Sequence, residues 1–191
     1  MCGRLNVIAD PLCQWVSHTL GLEFHTKDNP DLRPTQHVAT IASHQGRLQQ
    51  LDTTWGIKPA WAKQILINAQ AETVTEKPTF KRAFATNRCL IPCSGWYEWR
   101  QEDPGKVRYL FSAEDRQPLL MAGIYYPSEL TGEASQLVTL TTAPTPQCAE
   151  YHNRMPLLIP LDAVRYWFNS EPGQLDALLH ATAKQLLIRS S

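Results

Sequence analysis

The second residue of the chain has a chemistry that no internal cysteine shares. The sequence begins Met1-Cys2-Gly3-Arg4, and an initiator methionine is normally removed when the next residue is as small as cysteine. Removal would leave Cys2 with a free α-amine beside its thiol. This 1,2-aminothiol condenses with an aldehyde through the amine, and the thiol then closes a thiazolidine ring on the same carbon. The pKa of an α-amine is about 7.7–8.0, so part of it is nucleophilic at physiological pH. Taken alone, these residues favour an ordinary early cysteine.

Three polar residues interrupt otherwise apolar segments and could take part in such chemistry. They are Asn68 in ILINAQ, Glu98 in GWYEW and His152 in EYHNRMP. A carboxylate among tryptophans and a tyrosine is costly to bury. Glu98 therefore either faces solvent through strand alternation or has a raised pKa suited to acid–base work, and both remain open. A histidine before a proline turn and an asparagine at a strand end are more often structural than catalytic.

The elements that must position these residues predict an α+β fold. Asp10-Pro11 and Gly21 are typical of a helix start and end, and residues 44–46 (HQG) are typical of a hairpin turn. Residues 22–36 are predicted to be a loop, and the ILI segment a strand that runs into Asn68. Helical segments are also predicted over 69–76, 78–87, 145–152, 161–168 and 174–181. Strands predicted over 3–8, 37–43, 47–55, 88–100, 107–113, 119–126 and 136–143 favour a mainly antiparallel sheet or open barrel with peripheral helices.

Composition predicts one globular domain with a proper core. The chain has 191 residues, of which 43% are hydrophobic and 19% charged. Its 18 basic and 18 acidic residues cancel, so bulk charge gives no hint of a polyanionic partner. Basic residues are concentrated between residues 55 and 90, which permits a local basic surface, although a solvated face is the commoner explanation.

Cysteine usage predicts a reducing compartment. The five cysteines are odd in number, and no signal-like or membrane-spanning apolar run is present, so we expect a cytoplasmic protein without disulfides. Cys89 and Cys93 lack the spacing and partner ligands of a zinc site, which indicates a structural role.

Nine ordered motifs resemble the SRAP (SOS-response-associated peptidase) family, whose members recognise abasic sites in DNA. The resemblance runs from Met1 to about residue 168 and rests on MCGR, LRPTQ, WGIKPAW, LINAQAET, FKRAF, RCLIPCSGWYEW, AGIY, LTTAP and HNRMPLLIP. It implies a single SRAP-like domain over residues 1–191. The implied domain is compact and α+β, with a twisted, barrel-like, mainly antiparallel sheet, peripheral helices and a positively charged groove.

The resemblance also implies roles for four catalytic residues. Cys2 would capture the aldehyde of a ring-opened abasic deoxyribose as a thiazolidine that shields the lesion. Glu98 would move protons during ring opening and Schiff-base formation. His152 would assist in opening the sugar and in reversing the crosslink, and Asn68 would hold the Cys2 end and the substrate in register.

The implied DNA contacts suit single-stranded DNA or a junction, with cations on phosphates and aromatic or proline surfaces against bases. They are Arg4, Pro34, Trp55, Trp61, Gln70, Lys81, Arg82, Thr141, Thr142 and Arg154, with Lys58 and Lys63 extending the phosphate track. Three departures from the family pattern stand out. Gln70 occupies the position of a usual arginine, which predicts weaker or more salt-sensitive binding. The usual tyrosine and asparagine before Pro34 are missing, and residues 181–191 show no clear counterpart of the family's C-terminal segment that returns to the sheet.

We therefore expect a monomer that needs neither metal nor organic cofactor and contacts no membrane. It would act on abasic single-stranded DNA during the SOS response to DNA damage, in the cytoplasm and at the nucleoid when bound. Lyase activity and autopeptidase removal of the residue before Cys2 are further expectations.

Three alternatives stay open. The Met-Cys-Gly start also opens N-terminal-nucleophile hydrolases, in which the thiol attacks an amide. The tryptophans could serve a non-covalent single-stranded DNA-binding module, and the chain could be a degenerate relative without DNA binding.

Overall fold

A computed structural model describes residues 3–128, 134–180 and 184–191, so that Cys2 lies outside the described residues. Short 3₁₀ turns occur at Ala71–Thr73, Leu161–Ala163, Pro172–Gln174 and Asp176–Leu178. The helices and strands, in chain order, are β1 (Leu5–Val7), α1 (Ala9–Leu20), β2 (Asn29–Leu32), β3 (His37–His44), β4 (Arg47–Trp55), β5 (Asn68–Gln70), α2 (Pro78–Thr86), β6 (Arg88–Cys93), β7 (Gly95–Gln101), β8 (Lys106–Ala113), β9 (Leu119–Tyr126), β10 (Ser135–Thr142), α3 (Pro146–Ala149), β11 (Met155–Pro156), α4 (Val164–Asn169) and β12 (Leu186–Ser190).

Five strands of the larger sheet close into a barrel. β3 pairs with β4 and with β6, β6 pairs with β9, and β9 pairs with β10, all antiparallel. β10 returns to β4 in a parallel pairing, which closes the circuit. Beyond this point β10 also pairs with β5 and β11. The α+β fold with barrel-like, mainly antiparallel sheets is confirmed, and closure leaves few sheet edges in need of protection.

The smaller sheet carries the beginning of the described chain. Its strands lie in the order β12, β8, β7, β1 and β2. Along β7, side chains alternate between the two faces, so Trp96 and Glu98 share one of them. The Trp96 ring stacks on Phe111 of β8 with 4.9 Å between ring centroids. This face is therefore buried, and it is the face that presents Glu98.

Local sequence explains the elements that were predicted best. Gln45 and Gly46 have φ values of 49° and 76°, the left-handed pair that matches the twist of a two-residue hairpin. α1 ends at Gly21, whose φ of 68° lets its N–H donate to the Ser17 carbonyl at 3.1 Å. At the other end, Asp10 has the extended backbone expected of a cap residue before Pro11 (φ −111°, ψ 120°), so α1 is kinked at this point. The one residue ahead of the kink, Ala9, donates its N–H to Asp28 at 2.6 Å.

Several segments differ from the sequence-based expectation. The predicted helices over 69–76 and 174–181 contain, as helical structure, only short 3₁₀ turns in their described parts. The predicted loop of residues 22–36 contains β2, which is tolerated across Pro30 because β2 is an edge strand. The predicted ILI strand is displaced, since β5 begins at Asn68 instead of ending there. The C-terminal segment does return to a sheet, because Leu186–Ser190 pairs with β8 along its whole length. Among the described helices, none combines the length and the apolar character needed to cross a bilayer.

Candidate functional site

Glu98 is a buried carboxyl on the central strand of the smaller sheet. Its exposed fraction is 3%, so the solvent-facing orientation that the sequence left open is wrong. Burial raises the pKa of Glu98 to about 7, because a charge is poorly solvated in an apolar surrounding. A carboxyl with a pKa near neutrality can both donate and accept a proton under physiological conditions. Glu98 therefore has the environment of an acid–base group.

The start of the described chain runs beside the strand that carries Glu98. In β1, Leu5 lies opposite Trp96 of β7. One residue earlier, the Arg4 carbonyl accepts the Tyr97 N–H at 3.0 Å. The pairing thus leads the chain, read backwards from β1, toward the position of Glu98. The predicted role of Cys2 stays a prediction, because that residue lies outside the described part of the chain.

His152 follows α3, which holds it through backbone bonds. The amides of Tyr151 and His152 both donate to the Cys148 carbonyl, at 3.0 and 3.1 Å. The Arg154 amide donates to Nδ1 of His152 at 3.0 Å. The Arg154 carbonyl also lies 3.2 Å from Nδ1, but the amide contact is the shorter and an amide can only donate, so we assign an unprotonated Nδ1 and, for the neutral ring, a proton on Nε2. Burial lowers the pKa of His152, which favours this neutral form.

Aromatic packing brings the His152 segment against the Glu98 strand pair. Tyr109 of β8 lies directly opposite Glu98, and the Tyr109 ring meets Tyr151 edge to face at 4.7 Å between centroids. Burial raises the pKa of the Cys148 thiol, and the charge of Glu98 acts in the same direction. Both observations place α3 and its His152 beside Glu98. The structure thus brings these two predicted site residues into one neighbourhood.

Asn68 is held at the first position of β5. It lies opposite Thr139 of β10 in a parallel pairing, and its Oδ1 accepts a hydrogen bond from the Thr139 hydroxyl. The Thr139 amide also donates to the Ile67 carbonyl at 3.0 Å. Asn68 is half-buried, so its amide is fixed in orientation while part of it stays accessible. This suits the predicted positioning role, which remains a prediction.

Glu72 and Arg154 connect the Asn68 segment to the His152 segment. The two side chains form a bidentate ion pair with N–O distances of 2.9 and 2.7 Å. Burial is the largest single effect and raises the pKa of Glu72, but the hydrogen bonds and charge of Arg154 together with backbone amide donors outweigh it, so this pKa lies below its ordinary value. Sequence reasoning singled out Arg154 but missed Glu72. Its only sequence signal is its place in the motif LINAQAET.

Three of the predicted DNA contacts are corrected by burial. Trp55 is 0% exposed, and its Nε1 donates to the Ile67 carbonyl at 3.0 Å, so its indole belongs to the core and is not available to a base. Thr141 and Thr142 are 1% and 0% exposed. Their hydroxyls donate to the carbonyls of Ala69 and Leu179, at 3.4 and 3.0 Å. As side-chain contacts to DNA, these three predictions are wrong in this structure.

Other predicted contacts lie on the surface and stay predictions. Trp61 is 68% exposed and borders an open cavity of about 360 Å³ together with Lys58, Pro59 and Tyr126. The exposed members of the predicted set also include Lys63, Gln70, Lys81 and Arg82, whereas Pro34 is half-buried.

Two predicted phosphate contacts already have internal partners. The Arg4 guanidinium donates to Asp31 at 2.6 Å and lies 5.6 Å from the centre of the Trp99 ring. Arg154 is paired with Glu72, as described above. Arg88, which contributes to the basic run in the sequence, is structural. It is 8% exposed and donates to the Trp167 and Ser170 carbonyls at 2.8 and 2.6 Å.

Cys89 and Cys93 behave as structural residues. Both are free and fully buried, and burial raises the pKa of both thiols, which makes them poor nucleophiles. This agrees with their predicted structural role. Within residues 3–128, 134–180 and 184–191, His, Cys, Asp and Glu side chains form no group of three or more that could hold a metal ion.

Known proteins resemble the chain in sequence and in fold. A family model described as SOS response associated peptidase (SRAP) matches residues 1–189, so the resemblance extends past residue 168. The abasic site processing protein YoqW of Bacillus subtilis is 30% identical over 94% of this chain and 86% of its own length. The abasic site processing protein YedK of Escherichia coli is 30% identical over 74% of this chain and 64% of its own length.

Two solved structures share the fold at 22% identity. A Bordetella bronchiseptica protein has a TM-score of 0.84 and covers 100% of this chain and 99% of that chain. A Bacteroides thetaiotaomicron protein has a TM-score of 0.81 and covers 99% and 91%.

Proposed function

This chain belongs to the SOS response associated peptidase family, and from that premise we propose that it processes abasic sites in DNA. The finer proposal is that Cys2, once Met1 is removed, captures the ring-opened deoxyribose as a covalent thiazolidine. Relatives that match most of this chain carry the name abasic site processing protein. This supports the substrate, while the chemistry is argued from the residues of this chain.

The observation that carries the proposal is the buried carboxyl of Glu98 beside the chain's beginning. Its pKa of about 7 suits proton transfer at physiological pH. The strand that bears it is paired with β1 up to Arg4. A hydrolase that uses an N-terminal thiol also needs a base, but it does not need an acid–base carboxyl and a neutral histidine in one neighbourhood.

The proposed reaction opens the sugar and then forms two bonds to one carbon. In ring opening, Glu98 accepts the proton of the C1′ hydroxyl, and Nε2–H of His152 gives a proton to the ring oxygen, which yields the aldehyde. The Cys2 amine adds to the aldehyde carbon, and Glu98 returns a proton to the departing hydroxyl, so that one water leaves and an iminium forms. The Cys2 thiol gives its proton back to Nε2 of His152, and the resulting thiolate adds to the same carbon, which neutralises the iminium as a thiazolidine. The reverse sequence releases the DNA.

The DNA surface is proposed to take a single strand across the Trp61 side of the molecule. The exposed indole of Trp61 beside Lys58 offers a base-stacking surface next to a cation, and Lys81 and Arg82 add exposed cations on α2. Such a combination binds bases and phosphates without reading sequence. Double-stranded DNA offers no free base faces, so we expect weaker binding to a duplex of equal length.

The test is a denaturing gel of the protein with a single-stranded oligonucleotide that carries one abasic site. We expect a heat-stable shifted band that is absent for Cys2→Ala and for DNA without the lesion. It should also be absent for DNA whose aldehyde has been reduced to the alcohol, because the alcohol cannot form an iminium. The intact mass of the protein, one methionine short of the full chain, reports the free amine.

Processed protein that gives no band would overturn the covalent proposal. Binding that survives Cys2→Ala but is lost on boiling in detergent would instead indicate the non-covalent DNA-binding module. Hydrolysis of glutamine or peptide amides that depends on Cys2 would indicate the N-terminal-nucleophile hydrolase.

A further inference from the structure

Glu72 is surrounded by donors from two separate segments. Its Oε1 accepts the Ala143 amide at 3.1 Å and Nη1 of Arg154 at 2.9 Å. Its Oε2 accepts Nη2 of Arg154 at 2.7 Å. Ala143 directly follows β10, and Glu72 itself lies in the 3₁₀ turn Ala71–Thr73 that follows β5. The carboxylate therefore joins the end of β10 to the segment that contains Arg154.

The Arg154 side chain is bound at several points, which fixes the backbone that carries it. Besides its pair with Glu72, Nη2 donates to the Thr141 carbonyl at 2.6 Å. Its side chain is only 17% exposed, so these charge-assisted bonds are partly shielded from solvent. An arginine held by a planar carboxylate on one side and a strand carbonyl on the other has little freedom to move. The Arg154 amide is consequently held in place as well.

That amide is the group that determines the state of His152. It donates to Nδ1 at 3.0 Å, whereas the Arg154 carbonyl, 3.2 Å from the same nitrogen, would accept from Nδ1–H in the other tautomer. The shorter amide contact favours the neutral ring with its proton on Nε2. If the amide moved away, Nδ1 could carry the proton, and Nε2 would become an acceptor. A donor at the reacting atom would then be replaced by an acceptor.

We propose that Glu72 is a positioning residue for His152, acting through Arg154: its carboxylate braces the Arg154 side chain so that the Arg154 amide holds His152 with the proton on Nε2. The catalytic consequence rests on the proposed function, in which Nε2–H gives a proton to the sugar. The role assigned to Glu72 goes beyond that proposal. Glu72 is four residues from Asn68, so the same carboxylate also ties the Asn68 segment to the His152 loop.

A different role for the Glu72–Arg154 pair predicts the opposite result when the carboxylate is removed. If Glu72 only occupied Arg154 until a DNA phosphate displaced it, removing the carboxylate would free a cation and tighten DNA binding without slowing the reaction. Positioning of His152 instead predicts a slower reaction at saturating DNA, with affinity unchanged or better. The maximal rate and the half-saturating DNA concentration therefore distinguish the two roles.

The kinetic test measures single-turnover crosslinking of abasic single-stranded DNA as a function of DNA concentration. For Glu72→Gln and Glu72→Ala we expect the maximal rate to fall about 10- to 100-fold, the usual loss when a reacting group is displaced. The half-saturating concentration should not rise. In a His152→Ala background the Glu72 change should have no further effect, because it acts through that ring. Asp115→Ala, which breaks the exposed 2.6 Å pair with Lys184, is the matched control and should leave both parameters unchanged.

A second measurement needs no DNA and therefore tests Glu72 even if the crosslinking proposal fails. Long-range ¹H–¹⁵N spectra of the imidazole rings report the tautomer of each histidine, and His152→Gln identifies the His152 signals. We expect the Nε2–H form in the unchanged protein and a mixture of tautomers in Glu72→Gln, with thermal unfolding showing that the variant is folded. An unchanged tautomer in a folded variant overturns the proposal. So does a variant that slows the reaction equally with and without His152.

Discussion

Glu98 and Glu72 lie in regions of the molecule that affect a carboxyl group in opposite directions. Glu98 is enclosed between β7, β8 and the segment after α3, and burial raises its pKa to about 7. Glu72 lies in a partly exposed turn after β5. Burial raises its pKa there too, but Arg154 and backbone amide donors together outweigh burial and leave the pKa below the ordinary value. The first carboxyl can exchange a proton near neutral pH, whereas the second stays charged and serves as an anchor.

The difference arises from what each region offers a negative charge. Glu98 lies on a buried strand face that also carries the aromatic rings of Trp96 and Tyr109, where burial has the largest effect on its pKa. Around Glu72 the neighbours are a guanidinium and a backbone amide. An acid–base group and the anchor that positions its histidine partner can thus be the same residue type, because the surroundings and not the side chain decide the role.

The largest expected effect is the loss of proton transfer in Glu98→Gln. Glutamine preserves the shape but cannot exchange a proton, so we expect the crosslinking rate to fall about 10²- to 10⁴-fold, the range of general acid–base catalysis. The time course on a denaturing gel measures it. Glu114→Gln is the matched control, because Glu114 lies just beyond the end of β8 and is exposed. A Glu98→Gln variant that reacts at the unchanged rate would remove Glu98 from the reaction.

The second effect concerns the free energy of unfolding, in which Glu98→Gln should become more stable relative to the unchanged protein as pH rises. The folded pKa of about 7 lies above the ordinary 4.5, so between these values the folded chain keeps a proton that the unfolded chain has lost. The stability of the unchanged protein therefore falls across this window relative to the variant. Urea unfolding at pH 4.5 and pH 8 should show the free-energy difference between the two proteins growing by about 3 kcal/mol in favour of the variant. A constant difference would mean that Glu98 is not titrating in a buried environment.

The orientation of Glu98 shows where sequence reasoning reached its limit. Strand alternation correctly paired Trp96 with Glu98 and Tyr97 with Trp99, but it could not say which face is buried, because both faces carry aromatic residues. Packing against Phe111 and the segment after α3 decides it. The prediction that Trp55 contacts DNA was wrong for the same reason, because an indole can pack in a core or stack on a base at a DNA-binding surface.

Whether other features could be predicted depended on how far apart in the sequence the interacting residues are. The hairpin at Gln45-Gly46 and the helix end at Gly21 are short-range features with specific backbone requirements, so they were predicted correctly. The Glu72–Arg154 pair joins residues that are 82 positions apart, and no periodicity or local propensity reports such a contact. Burial of Thr141 and Thr142 likewise depends on segments distant in the chain.

The third effect is the stability of Glu72→Gln, whose dependence on pH should be opposite to that of Glu98→Gln. The pKa of Glu72 is lowered in the folded chain, so its stabilising contribution is present above the ordinary pKa of 4.5 and is lost as pH falls through the folded value. Glu72→Gln should destabilise the protein by roughly 1–2 kcal/mol at pH 7, since the pair is partly exposed. The deficit should vanish in acid, as measured by urea unfolding. Glu76→Gln, at an exposed position of the same segment, should change stability by less than about 0.5 kcal/mol. A deficit that persists in acid would contradict a role for the Glu72 charge.

The smallest effect concerns charge near the anchor. Gln70 is exposed and precedes Glu72 by two residues, where the sequence departs from the family pattern. Gln70→Arg should add one cation at this exposed position. We expect it to tighten single-stranded DNA binding a few-fold at low salt and to steepen the plot of log K against log salt by about 0.7, the value for one added phosphate contact. Fluorescence anisotropy with Cys2→Ala protein measures this without crosslinking, and the exposed Gln49→Arg on β4 serves as the equal-charge control. If both variants change the slope equally, the contact is not local to this site. If Gln70→Arg instead shifts the His152 tautomer, the new arginine competes with Arg154 for Glu72, and the anchor is weaker than its hydrogen bonds indicate.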